Sequence, residues 1–281
     1  MKEIAPDIFI KTAYEGVTLG AIHTPEGVVM IDAPLIIKDI QSWQTICARS
    51  GTGSSRLLVL LDDHPDRTAG AINNRYPIIT HTNSAKTLTS RPSITKMQGM
   101  ETGAIWETIP EICTVEWPRP EITFTHSITI NWGEKPIILE HHPGPTAGSC
   151  WVILPDQKVI FLGDTVTPGQ PPFFSSAEIE SWILSLDLLK TARFKDFVMI
   201  SGRASLVTKD DIRQSQKFLK KALRAFEKLF SQKAEIIKVQ ESGASFVNEF
   251  KPSNKSDECL FRTRLSYGFS KYYINNYSLK K

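Results

Sequence analysis

One short stretch gathers much of the chemistry this sequence can offer: Asp62-Asp63-His64-Pro65-Asp66-Arg67, directly after the apolar run Leu57-Leu58-Val59-Leu60-Leu61. A wholly apolar run suits a strand buried on both faces, and one that ends in carboxylates and an imidazole delivers them to a sheet edge. Two more apolar runs end in polar groups: Val159 to Leu162 in Gly163-Asp164, and Phe197 to Ile200 in Ser201-Gly202-Arg203. Any multi-histidine metal site must be built from six residues: His23, His64, His81, His126, His141 and His142. The four cysteines, Cys47, Cys113, Cys150 and Cys259, form no CxxC pair. That argues against a thiolate zinc site and for reduced thiols. Thr68, Thr146, Ser149 and Thr165 could donate hydrogen bonds to a ligand, although hydroxyls beside turns more often cap local backbone. No histidine is placed to activate any of them as a nucleophile.

The elements that must position these groups begin with strands at Ile8–Ile10, Val17–Ile22 and Val28–Ile31, a hairpin-rich start closed by Asp32. Ile36, Ile37, Ile40, Trp43, Ile46 and Cys47 follow the 3.6-residue period of a helix over 36–48, and a loop with Gly51 and Gly53 comes next. Ile78–Thr80 reads as a strand and Ala85–Thr89 as helical, whereas 90–110, with Gly99, Gly103 and Pro110, has little periodicity. Five more strands are expected at 122–124, 127–130, 136–140, 150–154 and 159–162, and a last one at 197–200. From Lys209 an apolar stripe (Ile212, Leu219, Leu223, Phe226, Phe230) marks a long helix, with Thr208 and Asp211 set to cap it. The lysines and arginines on its other face are expected to be solvated rather than to bind nucleic acid. The tail is rich in tyrosine (Tyr267, Tyr272, Tyr273, Tyr277) and is expected to pack on the domain or on a second copy, a homodimer.

In all, 281 residues with 41% hydrophobic and 22% charged side chains and a net charge of +3 make one ordinary globular domain. No apolar run approaches the ~20 residues that span a bilayer, and Met1–Asp7 has no hydrophobic signal core. The expectation is a soluble, cytoplasmic protein without a membrane partner, divided into a domain at 1–233 and a C-terminal extension at 234–281.

The order of these landmarks resembles the metallo-β-lactamase superfamily. The opening hairpin ends in Val29-Met30-Ile31-Asp32. After it come the Leu57–Leu61 strand with its acidic loop, Pro143-Gly144-x-Thr146-x-Gly148-Ser149, Phe161-Leu162-Gly163-Asp164 and Ile200-Ser201-Gly202. The resemblance covers about residues 5–230. It implies an α/β fold, a four-layer αββα sandwich of two mixed β-sheets with outer helices, and a metal site at one edge. The family's first metal motif, His-x-His-x-Asp-His, falls on Asp62, His64, Asp66 and Arg67, so two of its three histidines are replaced. Pro145 stands where the Pro-Gly-His-Thr motif has its histidine. Asp164 keeps the bridging aspartate, and Arg203 replaces the last histidine.

These replacements break both metal sites. Catalytic zinc takes three protein ligands and an open position, while proline offers no donor atom and a guanidinium cannot ligate a cation. The first expectation is therefore a protein of hydrolase descent with no cofactor. In it Arg67 and Arg203 replace metal charge among Asp62, Asp66 and Asp164, either as a closed salt-bridge cluster or as a pocket for a small anionic ligand. Arg67, Arg203, His64 and Asp62 are then the ligand-binding candidates. The alternative is a single divalent metal (Zn, Mn or Fe) on Asp62, His64, Asp66 and Asp164. Asp66 and Asp164 would act catalytically there, and the bound water would hydrolyse an ester, lactone or thioester. A third reading is a non-catalytic scaffold or dimerisation module.

Overall fold

The computed structural model describes residues 1–49, 53–96, 101–204 and 206–278. Gly51 and Gly99 lie outside these. The chain opens with an antiparallel meander of β1 (Lys2–Ala5), β2 (Ile8–Lys11), β3 (Leu19–His23) and β4 (Gly27–Ile31). Helix α1 (Ile37–Arg49) crosses to β5 (Ser55–Val59), which lies parallel to β4. The single turn α2 (Pro65–Thr68) leads to β6 (Ile78–His81) and α3 (Thr82–Ser90). The segment without periodicity contains β7 (Ile94–Thr95), a 3-10 turn at Ile105–Thr108 and β8 (Thr114–Val115), and β7 pairs antiparallel with β8. β9 (Ile122–Phe124) then adds parallel to β6 and completes a seven-stranded sheet in the order β1-β2-β3-β4-β5-β6-β9.

The second sheet comes next as β10 (Ser127–Ile130), β11 (Ile137–His141), β12 (Cys150–Leu154) and β13 (Val159–Phe161), all antiparallel. Helix α4 (Ile179–Leu188) carries the chain back to β14 (Val198–Ile200), parallel to β13, and β15 (Leu206–Val207) closes a six-stranded sheet. Three helices end the chain: α5 (Lys209–Ser231), α6 (Ile236–Ser245) and α7 (Lys255–Tyr277).

Four layers result from where the apolar residues point. Ile8, Ile10, Val29, Ile31, Val59 and Ile79 of the first sheet meet Leu139, Val152, Leu154 and Phe161 of the second in the central core. The outer face of the first sheet packs under α1 and α3 through Trp43, Cys47 and Leu88. The outer face of the second packs under α4, α5, α6 and α7. Strand β12 is buried at all five positions, as a central strand covered on both faces must be. Helix α5 begins at a complete capping box, with the Thr208 hydroxyl accepting from the Asp211 amide at 3.2 Å. Its apolar stripe, Ile212, Phe218, Leu219, Ala222, Phe226 and Leu229, is buried. Among the described residues no helix is long and apolar enough to cross a membrane.

Residue 233 falls in the turn between α5 and α6, and the chain beyond this turn enters the same core as the rest. Phe269 and Tyr272 of α7 ring Phe174 together with Phe218 and Phe226 of α5, and Leu265 and Phe269 are completely buried. Phe269→Ala is expected to lower unfolding stability by about 3–5 kcal/mol, as large core truncations do. Chemical denaturation would show this as one cooperative transition moved to lower denaturant. Early loss of the last helices, with the remainder unchanged, would contradict a shared core.

Candidate functional site

The polar groups converge where several strands of both sheets end. At the end of β4, Asp32 turns the backbone through φ +59°. Its Oδ1 accepts the Leu61 amide at 3.0 Å, which ties β4 to the continuation of β5. Past Leu61, Asp62 Oδ1 accepts the His64 amide at 2.9 Å. His64 caps α2, its Nδ1 accepting the Asp66 amide at 3.2 Å, with Pro65 in the first helical position. This turn sets Asp66 and Arg67 inward, both completely buried. Asp164 sits in the 3-10 turn after β13. Arg203 comes after β14, where the Ser201 hydroxyl accepts its amide at 3.2 Å and donates to the Val166 carbonyl at 2.7 Å.

The structure thus brings together every residue that the motif comparison singled out, except that Pro145 offers no side-chain donor. It joins them through the two arginines. Arg67 donates from Nη1 to Asp164 at 3.0 Å and from Nη2 to Asp62 Oδ2, and its Nε lies 3.6 Å from Asp32 Oδ2. Arg203 donates from Nε to both oxygens of Asp164 at 2.9 and 3.0 Å. Its Nη1 reaches Asp66 Oδ2 at 2.7 Å and the Gly16 carbonyl at 3.3 Å, and its Nη2 reaches His64 Nδ1 at 2.9 Å. Asp66 also accepts the amides of Ile105 at 3.1 Å and Trp106 at 2.9 Å, so the non-periodic segment docks on the centre. The guanidinium of Arg67 lies against bare backbone. A Cβ on Gly202 would fall 2.0 Å from its Nη1 and one on Gly163 3.2 Å away.

The electrostatics are set by burial opposed by pairing. Burial alone would raise Asp164, but the guanidiniums of Arg203 and Arg67 overcome it and hold the carboxyl well below the usual range. Asp66 is lowered in the same way, burial being outweighed chiefly by Arg203. His64 is brought down to about 3 by burial and then by Arg203, so its ring is neutral at ordinary pH. A guanidinium has no acceptor, so Nδ1 accepts and the proton sits on Nε2. Asp32 is pushed up to about 6 by burial, with Arg67 opposing.

Four contributors are not read from the sequence as part of the site. Asp32 and Gly202 are landmarks of the resemblance without a site role, and Phe173 and Arg264 belong to no motif at all. The Phe173 ring packs on His64 with centroids 4.1 Å apart. It is flanked by the guanidiniums of Arg203 at 4.4 Å and Arg264 at 3.9 Å. Arg264, buried on α7, donates to the carbonyls of Gly103 and Pro171 and to the Gln170 side chain at 2.9–3.0 Å. Burial, then the nearby Arg203, lowers it to about 9. The spacing Phe261-Arg264-Leu265 on one helical face was the available clue to a buried arginine.

Above the centre lies a cavity of about 330 Å³ with Asp62, His64, Asp164 and Phe173 on its floor and Arg91, Lys96 and Glu101 among its lining residues. Neither Arg67 nor Arg203 lines it, their side chains being 0% and 1% exposed. The Nδ1 lone pair of His64 and the carboxylates of Asp66 and Asp164 are directed at Arg203, which fills the space a second ion would need. The donor set as arranged therefore does not fit a divalent metal. Among the described residues no group of three or more His, Cys, Asp or Glu could hold one. The remaining histidines and hydroxyls serve structure. His81 caps α3 and stacks on His141 at 3.7 Å, His142 stacks on Trp151 at 3.6 Å, and the Thr165 hydroxyl accepts the Trp151 indole at 2.8 Å. Thr68 donates to the His64 carbonyl at 2.8 Å, and Thr146 and Ser149 bond each other at 3.2 Å.

Two outcomes are expected. Gly202→Ala forces Arg67 off its carboxylates, with a loss of stability of about 3–5 kcal/mol, the cost of breaking a buried pair; a denaturation midpoint within experimental error of the unsubstituted chain contradicts the packing. His64 takes up a proton near pH 6.5 when unfolded but only near 3 when folded, so the stability it contributes is lost as pH falls across that window. His64→Asn keeps a cap for the Asp66 amide and removes that loss. Its stability relative to the unsubstituted chain is therefore expected to rise between pH 6.5 and 4; a constant difference contradicts a buried neutral imidazole.

Comparison with known proteins agrees with this architecture. Residues 67–201 match the model of the metallo-beta-lactamase superfamily. A search of the curated proteins gives no match. Among solved structures the chain is similar to a metallo-beta-lactamase from Pontibacter korlensis, at 19% identity and TM-score 0.60 over 78% of this chain and 97% of that one. It is also similar to a metallo-beta-lactamase family protein from Thermus thermophilus, at 15% identity and TM-score 0.62 over 97% and 93%. A beta-lactamase domain protein from Burkholderia ambifaria aligns at 13% identity and TM-score 0.59 over 98% and 87%. The chain thus has the metallo-β-lactamase-like fold, and residues 67–201 match that superfamily's model.

Proposed function

We propose that this chain is a metal-independent binding protein of hydrolase descent, in which Arg67 and Arg203 supply the positive charge that metal ions supply in hydrolases of this fold. One observation carries the reading: the Arg203 guanidinium bonds at once to Asp66, Asp164 and His64. Those residues are then counter-ions and an acceptor rather than ligands. They are also poorly placed for proton transfer. His64 near 3 is too weak a base at neutral pH, and two carboxylates held below their usual range by guanidiniums do not take up protons there.

The cavity above the centre is the binding face in this reading. An anion entering it would not touch Arg67 or Arg203. It would meet the Nε2 hydrogen of His64 on the floor and the cations Arg91 and Lys96, of which Arg91 already pairs with Asp63 at 2.9 Å. The arginines would act on such a ligand indirectly, by neutralising the carboxylates beneath it. Cys113 and Cys259 are exposed thiols outside any disulfide, consistent with a reducing, cytoplasmic setting.

The test is metal content per chain by plasma mass spectrometry after dialysis against zinc and manganese, together with melting in the presence and absence of EDTA. The expected result is negligible retained metal and a melting temperature that EDTA does not move. Near-stoichiometric retention that disappears in Asp164→Ala overturns the reading and restores the single-metal hydrolase.

A further inference from the structure

A marked charge asymmetry lies on α5. This helix carries seven lysines and arginines against three acids, a larger net positive charge than the +3 of the whole chain. Asp210 and Asp211 sit in its first turn and Glu227 near its end. Between them, from Arg213 to Arg224, there is no carboxylate. Arg213, Lys217, Lys220, Lys221 and Arg224 are all exposed and together line a shallow groove of about 480 Å³. Arg213 bonds Asp210 at 2.7 Å and Lys221 bonds Glu249, both pairs at the solvent surface. At ~1.5 Å rise per residue, successive cations along this face stand about 5–6 Å apart, a spacing that suits the phosphates of an extended strand. Most of the apolar face of α5 is buried, with Phe230 near its end the exposed exception, so between Arg213 and Arg224 the helix presents cations rather than an apolar face to a lipid bilayer.

The groove continues into a second hollow. Lys217 lines both it and a cleft of about 500 Å³ between α5 and the 167–172 segment. That cleft contains the half-buried ring of Phe250, the Gln170 and Gln214 amides and the exposed Lys251, together with two carboxylates already engaged, Asp211 by the Thr208 hydroxyl and Glu249 by Lys221. A cationic track leading into a cleft with an aromatic ring and side-chain amides combines phosphate neutralisation with a place for a base to stack and be hydrogen-bonded.

We propose that this face binds single-stranded nucleic acid, with phosphates along Arg213–Arg224 and a base entering the Phe250 cleft. The binding is independent of the charge-paired centre. It reverses the sequence-level expectation of a merely solvated face, because the fold supplies the groove and its continuation into the cleft, neither of which helical periodicity shows.

The test is fluorescence anisotropy with a labelled oligothymidylate, its duplex with oligoadenylate, and, in parallel, sedimentation with phosphatidylserine vesicles. Binding to the single strand is expected to weaken with salt, with a slope of log affinity against log salt of about −3 for four phosphate contacts. K217E/K220E/R224E, all exposed positions, is expected to lose at least tenfold in affinity with its melting temperature unchanged. Phe250→Ala is expected to lose about fivefold or more on the single strand while keeping the salt slope. No binding at low salt, equal affinity for the duplex, an unaffected triple variant, an unaffected Phe250→Ala, or binding to vesicles without binding to the oligonucleotide each overturns the proposal.

Discussion

Three buried carboxylates at one edge of a β-sandwich must be neutralised, and the rest of the centre depends on how this is done. Asp62, Asp66 and Asp164 are between 0% and 2% exposed, and a buried charge without a partner is among the most costly features a fold can contain. Here the compensation is covalently attached to the chain. Arg67 spans Asp62 and Asp164, Arg203 spans Asp164 and Asp66, and Arg264 adds a third positive charge across the Phe173 ring. Burial raises Asp32 to about 6, so the fourth carboxylate is the one readiest to be neutral. The glycines at 163 and 202 belong to the same solution, since side chains there would crowd the guanidinium of Arg67.

A centre neutralised in this way also organises the loops around it. Asp66 holds the Ile105 and Trp106 amides, and Arg203 holds the Gly16 carbonyl. The adjoining Gly202 carbonyl accepts the Thr18 amide at 2.7 Å. The network therefore pins one loop of the first sheet, one turn of the segment after α3 and the ends of two strands of the second sheet. A metal ion attracts ligands from all directions, whereas a guanidinium offers planar, directed donors. The carboxylates are accordingly oriented one by one, each toward a particular N–H, and the cavity above them inherits a fixed floor.

Much of this was legible in the sequence. The strands from β2 to β14, apart from the two-residue β7 and β8, announce themselves by apolar runs, and Thr208 with Asp211 marks the start of α5. The motif order Asp62-x-His64-x-Asp66-Arg67, Asp164 and Arg203 named the members of the ion network. What the sequence did not carry was direction. Nothing in the letters distinguishes a guanidinium that faces a cavity from one that faces its own carboxylates, and here both face inward. Asp32 was hidden because a residue at a strand end in left-handed backbone looks like any turn residue. Arg264 was hidden because it comes from a helix far along the chain that matches no motif, and its partners Gly103 and Pro171 lie in segments outside the regular elements.

The origin of Arg264 has a kinetic side. Its bond to Gly103 spans 161 residues, and the Arg203 bond to Gly16 spans 187. Contacts of such long range are reached only after the entropy of closing large loops has been lost, so they form late. Until they do, the acidic turn at 62–66 has only Arg67 beside it in sequence, and the centre is an uncompensated anionic patch on a partly assembled sandwich. Arg203, which follows β14, completes the pairing of Asp66 and Asp164, and Arg264 adds its charge only when α7 docks.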